Sequence, residues 1–114
     1  MKDDALTRTL LFDYYGDLLT EKQKTCFDLW CNQDLSLSEI AEQAGITRQG
    51  VHDTLARAET SLRGFESRLG CIARAERTRE ALAEIRAEAA ALRALPEAKA
   101  GAERILAAAD HMKE

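Results

Sequence analysis

Arg48, Gln49, Gly50 and His52 fall close together near the middle of the chain, and their types suit the reading of nucleic-acid bases. An arginine can fork to guanine O6 and N7 and a glutamine to adenine N6 and N7, each good pair giving about 1–3 kcal/mol of discrimination. Gly50, lacking a side chain, would allow close approach to a backbone or a thymine methyl. Thr47, just ahead, carries a hydroxyl that could donate to a phosphate, although capping a helix is the simpler job for it. Arg57 adds a further cation downstream.

Other chemistry finds little footing. His52 and His111 are isolated, and no Ser/His/Asp or Cys/His arrangement can be drawn from the chain. No glycine-rich phosphate loop is present, and the carboxylate pairs Asp3/Asp4 and Glu39/Glu42 read as solvated faces. The three cysteines, Cys26, Cys31 and Cys71, form no CxxC pair, and their odd number argues against a disulfide framework. They read as small apolar side chains in or near the core, as does Trp30 with the few other aromatics. Neither an enzyme nor a metal or cofactor site is expected.

The candidate base-reading residues need a scaffold, and the spacing of caps supplies one. Ser36-Leu37-Ser38-Glu39 has the form of a capping box and predicts a short helix over 37–44. Gly45 fits the position just past its end, where a left-handed backbone suits glycine. Thr47 is a fresh N-cap for a helix that begins at Arg48 and runs to about Leu62 or further. Ala41 is small enough to let the next helix cross closely, and Val51 can plug the angle between the two. Leu37, Ile40, Ile46 and Leu55 supply the other apolar contacts. Together these features predict a helix-turn-helix whose second helix presents Arg48, Gln49, Gly50 and His52 on its first turns.

Flanking segments also read as helix. A single proline, six glycines and abundant Ala, Leu, Glu and Arg favour helices, and scarce β-branched residues exclude an all-β sandwich. Leu6, Leu10, Tyr14 and Leu18 predict an amphipathic stripe on a first helix over about Asp3–Asp17. Thr20-Glu21-Lys22-Gln23 is a capping box for a second helix over 21–32, with Cys26, Phe27 and Trp30 on a buried face. Beyond Cys71, Pro96 and Gly101 divide an Ala/Arg/Glu-rich region into helices over about 71–94 and 97–112. Leu82, Ile85, Ala89 and Leu92 there form a coiled-coil-like seam, expected to meet another helix or a second subunit. No apolar run is long enough for a membrane span, and the acidic N-terminus lacks the apolar stretch of a secretory signal, so a soluble cytoplasmic protein is expected.

Charge pulls against the motif. Residues 1–35 carry 4 Lys/Arg and 7 Asp/Glu, residues 36–70 carry 4 and 5, and residues 71–114 carry 8 and 8, for a formal charge of −4. Within 36–63 the cations are Arg48, Arg57 and Arg63, against Glu39, Glu42, Asp53 and Glu59. Three phosphate contacts would give a salt slope of only about −2.7 per subunit. Asp53 would repel phosphate if it faced a groove. The charge count favours protein or mixed partners over naked DNA, whereas the motif geometry favours nucleic acid.

The stretch from about residue 5 to 70 resembles the YlxM family of small bacterial proteins. The resemblance rests on Leu11-Phe12-Asp13-Tyr14-Tyr15, Leu18-Leu19-Thr20-Glu21-Lys22-Gln23 and Asp34-Leu35-Ser36-Leu37-Ser38-Glu39-Ile40-Ala41-Glu42. It continues through Gly45-Ile46-Thr47-Arg48-Gln49-Gly50-Val51-His52-Asp53, Arg57-Ala58-Glu59, and Leu62 through Phe65-Glu66 to Leu69. More distantly, the same stretch is similar to DNA-binding region four of bacterial sigma factors. The chain departs from the family at Gly50 and His52, where alanine and tyrosine are usual.

The resemblance implies an all-α protein: a helix-turn-helix domain like sigma region four over residues 1–70, with its core at 36–63, and a helical C-terminal extension over 71–114. It also implies a regulatory role in the signal recognition particle pathway, through the particle's RNA, its GTPase or both, because the family's genes tend to lie beside the gene for that GTPase. The alternative is a homodimeric regulator that binds operator DNA. Thr47, Arg48, Gln49, Gly50, His52 and Arg57 are the expected nucleic-acid contacts in either case.

Overall fold

The computed structural model describes residues 5–112, which form two compact units, residues 5–72 and 73–112. Among the described residues six α-helices occur and no strand. The first unit contains α1 (Ala5–Tyr15), α2 (Glu21–Cys31), α3 (Leu37–Ala44) and α4 (Arg48–Leu69). Helix α5 spans Cys71–Leu92 and α6 spans Lys99–Asp110.

The predicted caps form as the sequence implies. Thr20 accepts from the Gln23 amide while the Gln23 side chain accepts from the Thr20 amide, and Ser36 and Glu39 do the same for α3. Each box satisfies two amides that would otherwise lack partners at a helix start. Gly45 takes φ 72° and donates to the Ala41 carbonyl at 2.9 Å, which ends α3 and turns the chain. Asp34 also adopts a positive φ of 58°, in the break between α2 and α3.

The core of the first unit forms around Phe27, which is fully buried. Its ring stacks on Phe12 at 5.3 Å and meets Trp30 edge-on at 5.6 Å. Ile40 and Ala41 from α3 and Val51, Leu55, Ala58 and Leu62 from α4 join Leu11, Tyr15, Leu19 and Cys26 in one cluster. Val51 is wholly buried, as expected of a plug between crossing helices. Burial pushes the Cys26 and Cys31 thiols upward, as it does for thiols used as apolar packing.

The stripe expected on α1 is corrected. Leu6 (69%), Tyr14 (44%) and Leu18 (58%) are exposed, and the buried line is Leu11, Tyr15 and Leu19. The buried line keeps the spacing of four but runs one position later along the chain, where Leu11 and Tyr15 join the core cluster. The chain leaves the α-helix at Gly16 for a 3-10 turn over Gly16–Leu18, so Leu18 lies on no continuation of α1. Asp3, the expected start of this helix, lies outside the described residues.

Tyr15 faces inward for a reason the stripe did not carry. Its hydroxyl donates to Glu66 Oε1 at 2.5 Å and accepts from the Cys71 amide at 3.1 Å. The same Glu66 oxygen accepts from the Ile72 amide at 3.0 Å. The first amides of α5 are thereby satisfied, and the junction at Gly70, with φ 64°, is held. Burial, followed by the hydrogen bond to Glu66, holds the Tyr15 phenol above its ordinary range.

In the second unit the buried residues are Leu82, Ala89, Ala102 and Ala109. Helices α5 and α6 are joined by a 3-10 turn over Pro96–Ala98. Arg86 donates to Asp110 at 2.6 Å and to the Ala109 carbonyl at 3.1 Å, placing a cation at the C-terminal end of α6. The expected seam splits: Leu82 and Ala89 are buried, whereas Ile85 (47%) and Leu92 (43%) are exposed. Relative to Leu82, positions 85 and 92 lie about 60–80° round the helix and fall outside the buried line of Leu82 and Ala89.

Candidate nucleic-acid interface

The start of α4 positions the residues singled out above. Thr47 has extended backbone, and its Oγ1 accepts from the Gly50 amide at 2.9 Å, so its oxygen is engaged as an N-cap. Arg48 is exposed and makes no hydrogen bond or ion pair with the described residues. Gln49 is exposed, but its Nε2 donates to Asp53 Oδ1 at 3.0 Å, one turn along the helix. His52 Nδ1 lies 3.6 Å from that same Asp53 oxygen, with its side chain 63% exposed.

Asp53 therefore organises the exposed first turns of α4: it orients the Gln49 amide and adjoins the His52 imidazole. The Gln-x-x-x-Asp spacing was a signal in the sequence for this bond, because positions four apart face each other on a helix. Seen from the sequence, Asp53 read only as a source of repulsion.

Gly50 is half-buried, and a Cβ there would meet Thr47 Oγ1 at 3.2 Å and Ile46 Cδ1 at 3.6 Å, so its missing side chain also leaves room for the Thr47 cap. Arg57 is exposed but lies nine residues after Arg48, which places it roughly 180° around α4. It borders a shallow hollow with Gln23, Ala56, Thr60 and Ser61. Arg48, Gln49 and His52 thus share the start of α4, and Arg57 stands apart from Arg48 on the opposite flank.

The geometry is that of a short capped helix and a longer one joined through a left-handed glycine, with the second helix exposed at its start. A family model described as "Putative helix-turn-helix protein, YlxM / p13 like" matches residues 2–100. The chain belongs to that family. A UPF0122 protein of Thermoanaerobacter sp. is 54% identical over 74 residues, covering 65% of this chain and 63% of the relative. One from Symbiobacterium thermophilum is 42% identical over 82 residues, covering 72% of this chain and 77% of the relative. Another, from Halalkalibacterium halodurans, is 40% identical over 86 residues, covering 75% and 79%. The match spans less than two thirds of the Thermoanaerobacter protein. Among the described residues, no helix is long and apolar enough to cross a membrane.

Proposed function

We propose that this YlxM-family chain is a non-enzymatic regulator that uses its helix-turn-helix to bind nucleic acid. Following the family likeness, we place it in the cytoplasm as an accessory of the signal recognition particle, acting on the particle's RNA, its GTPase or both. The domain carrying this activity is residues 1–70, with 71–114 as a helical extension. The observation that carries the reading is the exposed, unpaired Arg48 beside Gln49 and His52 at the start of α4, directly after the Gly45 turn. Arg48 and Gln49 serve as base-reading groups, His52 as a further donor, Thr47 as a cap at the protein surface, and Arg57 as a phosphate contact on the opposite flank.

The test is a side-by-side titration of the protein against the particle's RNA, its GTPase and genomic DNA fragments. Binding to the RNA or the GTPase supports the reading; binding to DNA alone overturns it. Arg48→Ala is expected to lower affinity for the nucleic-acid target and to reduce the salt slope by about 0.9. Equal affinity of variant and parent at two salt concentrations would remove Arg48 from the interface.

A second reading is supported by Ile85, Leu92 and Ile105, which are large, apolar and exposed on the second unit. Such residues suit pairing with a second copy, and a homodimer could present two recognition helices to an operator. A monomer mass by light scattering at tens of micromolar would remove this reading.

A further inference from the structure

The outward side of α4 is set by what the helix buries. Val51, Leu55, Ala58 and Leu62 form its buried apolar line. At 3.6 residues per turn, Gln49 and Asp53 lie roughly 150–170° round the helix from that line. Both are exposed, and Arg48 and His52 stand beside them on the same turns. The side chains that project farthest from the core at the start of α4 are therefore Gln49 and Asp53, and one of them is an acid.

An acid at that place opposes a phosphate backbone, so its position calls for another role. Gln49 Nε2 donates to Asp53 Oδ1 at 3.0 Å. His52 Nδ1 stands 3.6 Å from the same oxygen, too far for a hydrogen bond. An ionised carboxylate only accepts, so it takes the NH2 side of the Gln49 amide and refuses the carbonyl side. The amide is thereby held one way round. Its Oε1 makes no hydrogen bond with the described residues, and one N–H remains beside it for a partner.

Adenine presents a donor, N6–H, next to an acceptor, N7, and the fixed amide matches both. Guanine presents two acceptors, N7 and O6, so Gln49 Oε1 would face a second oxygen. Turning the amide over to suit guanine would set that Oε1 against the Asp53 carboxylate. The repulsion discriminates as well as the attraction does.

We propose that Asp53 is a positioning residue for base reading: it fixes the Gln49 amide so that the start of α4 selects adenine at one position of its target and rejects guanine there. This rests on the nucleic-acid reading given above and names the base edge which that site takes. The N6/N7 edge is open in the major groove of duplex DNA and on unstacked adenines of RNA loops.

The whole chain would be used to select from duplex DNA with a randomised stretch and from RNA hairpins with a randomised loop. Repeating the selection with Gln49→Ala locates the position that Gln49 reads. The retained sequence and its adenine-to-guanine version at that position are then titrated by fluorescence anisotropy against the parent and Asp53→Asn. The parent is expected to bind the adenine version about tenfold tighter or better. In Asp53→Asn that ratio should fall to about twofold or less, because a neutral amide accepts either orientation of Gln49. Affinity for the adenine version should hold or rise, since an acid leaves the interface. A merely structural role would lower both affinities and leave their ratio alone.

Adenine-dependent retention from either library supports the proposal, and the library that yields it identifies the source of the adenine. A parent that favours guanine or neither base, or an unchanged ratio in Asp53→Asn, overturns the proposal and leaves the Arg48 reading standing. Retention of neither library overturns both.

Discussion

Residues 5–72 and 73–112 are built from the same element, and their interiors differ in kind. The first unit buries Phe27, Ile40, Val51, Leu55 and Leu62 around an aromatic pair, with side-chain caps at the starts of α2, α3 and α4. The second buries three alanines and one leucine, has no side-chain cap at the start of α6, and leaves Ile85, Leu92, Leu95 and Ile105 exposed. Large interlocking side chains remove more apolar surface from water than alanines do. The contrast teaches that the helix-turn-helix has the means to stand by itself, whereas the second unit carries apolar surface that a partner could cover.

The largest test of this contrast is Phe27→Ala. Removing the ring at the centre of the first unit should cost about 3–5 kcal/mol, read as a lower urea midpoint of Trp30 fluorescence. Trp30 lies in the first unit and reports on that unit's packing. A loss below ~1 kcal/mol would mean that the first core is no better packed than the second.

Tyr15→Phe sharpens the comparison at the start of α5. It takes the acceptor from the Cys71 amide and the donor from Glu66, at an expected cost of about 1–3 kcal/mol. The pH dependence follows from the raised phenol. The unfolded tyrosine ionises near its ordinary value of 10.0, whereas the folded one resists ionisation. Tyr15 therefore contributes stability in full below that pH, and the contribution falls as pH rises above it. The parent should lose stability in alkali more steeply than Tyr15→Phe, as urea titrations at neutral and alkaline pH would show.

Two glycine substitutions should move stability in opposite directions. Gly45→Ala forces an L-residue into φ 72° and should cost about 1–2 kcal/mol. Gly64 lies within α4, and a Cβ there meets nothing within 4 Å, so Gly64→Ala should add about 0.5–1 kcal/mol. Thermal melts of the two variants against the parent would check both signs.

The helix-turn-helix was legible along the chain because its signals are local. A cap and its partner lie three residues apart, as Thr20 and Gln23 or Ser36 and Glu39 do, and the left-handed turn needs only Gly45. Composition and periodicity likewise sufficed for an all-α protein with helices near their observed bounds. The exposure of the first turns of α4 was legible for the same reason, since Thr47 sets the register of Arg48, Gln49 and His52.

Whatever depends on contacts between distant residues was not legible. The inward face of α1 is decided by Tyr15 meeting Glu66 and Cys71, more than fifty residues away. A hollow is made by Trp30, Leu37 and Leu55 from three helices, and no spacing along the chain announces it. Which half of the Leu82–Leu92 seam is buried was likewise settled only in the folded unit. Backbone hydrogen bonds and caps act over three or four residues and are written in order. Burial is a property of neighbours in space, and the tertiary fold alone chooses them.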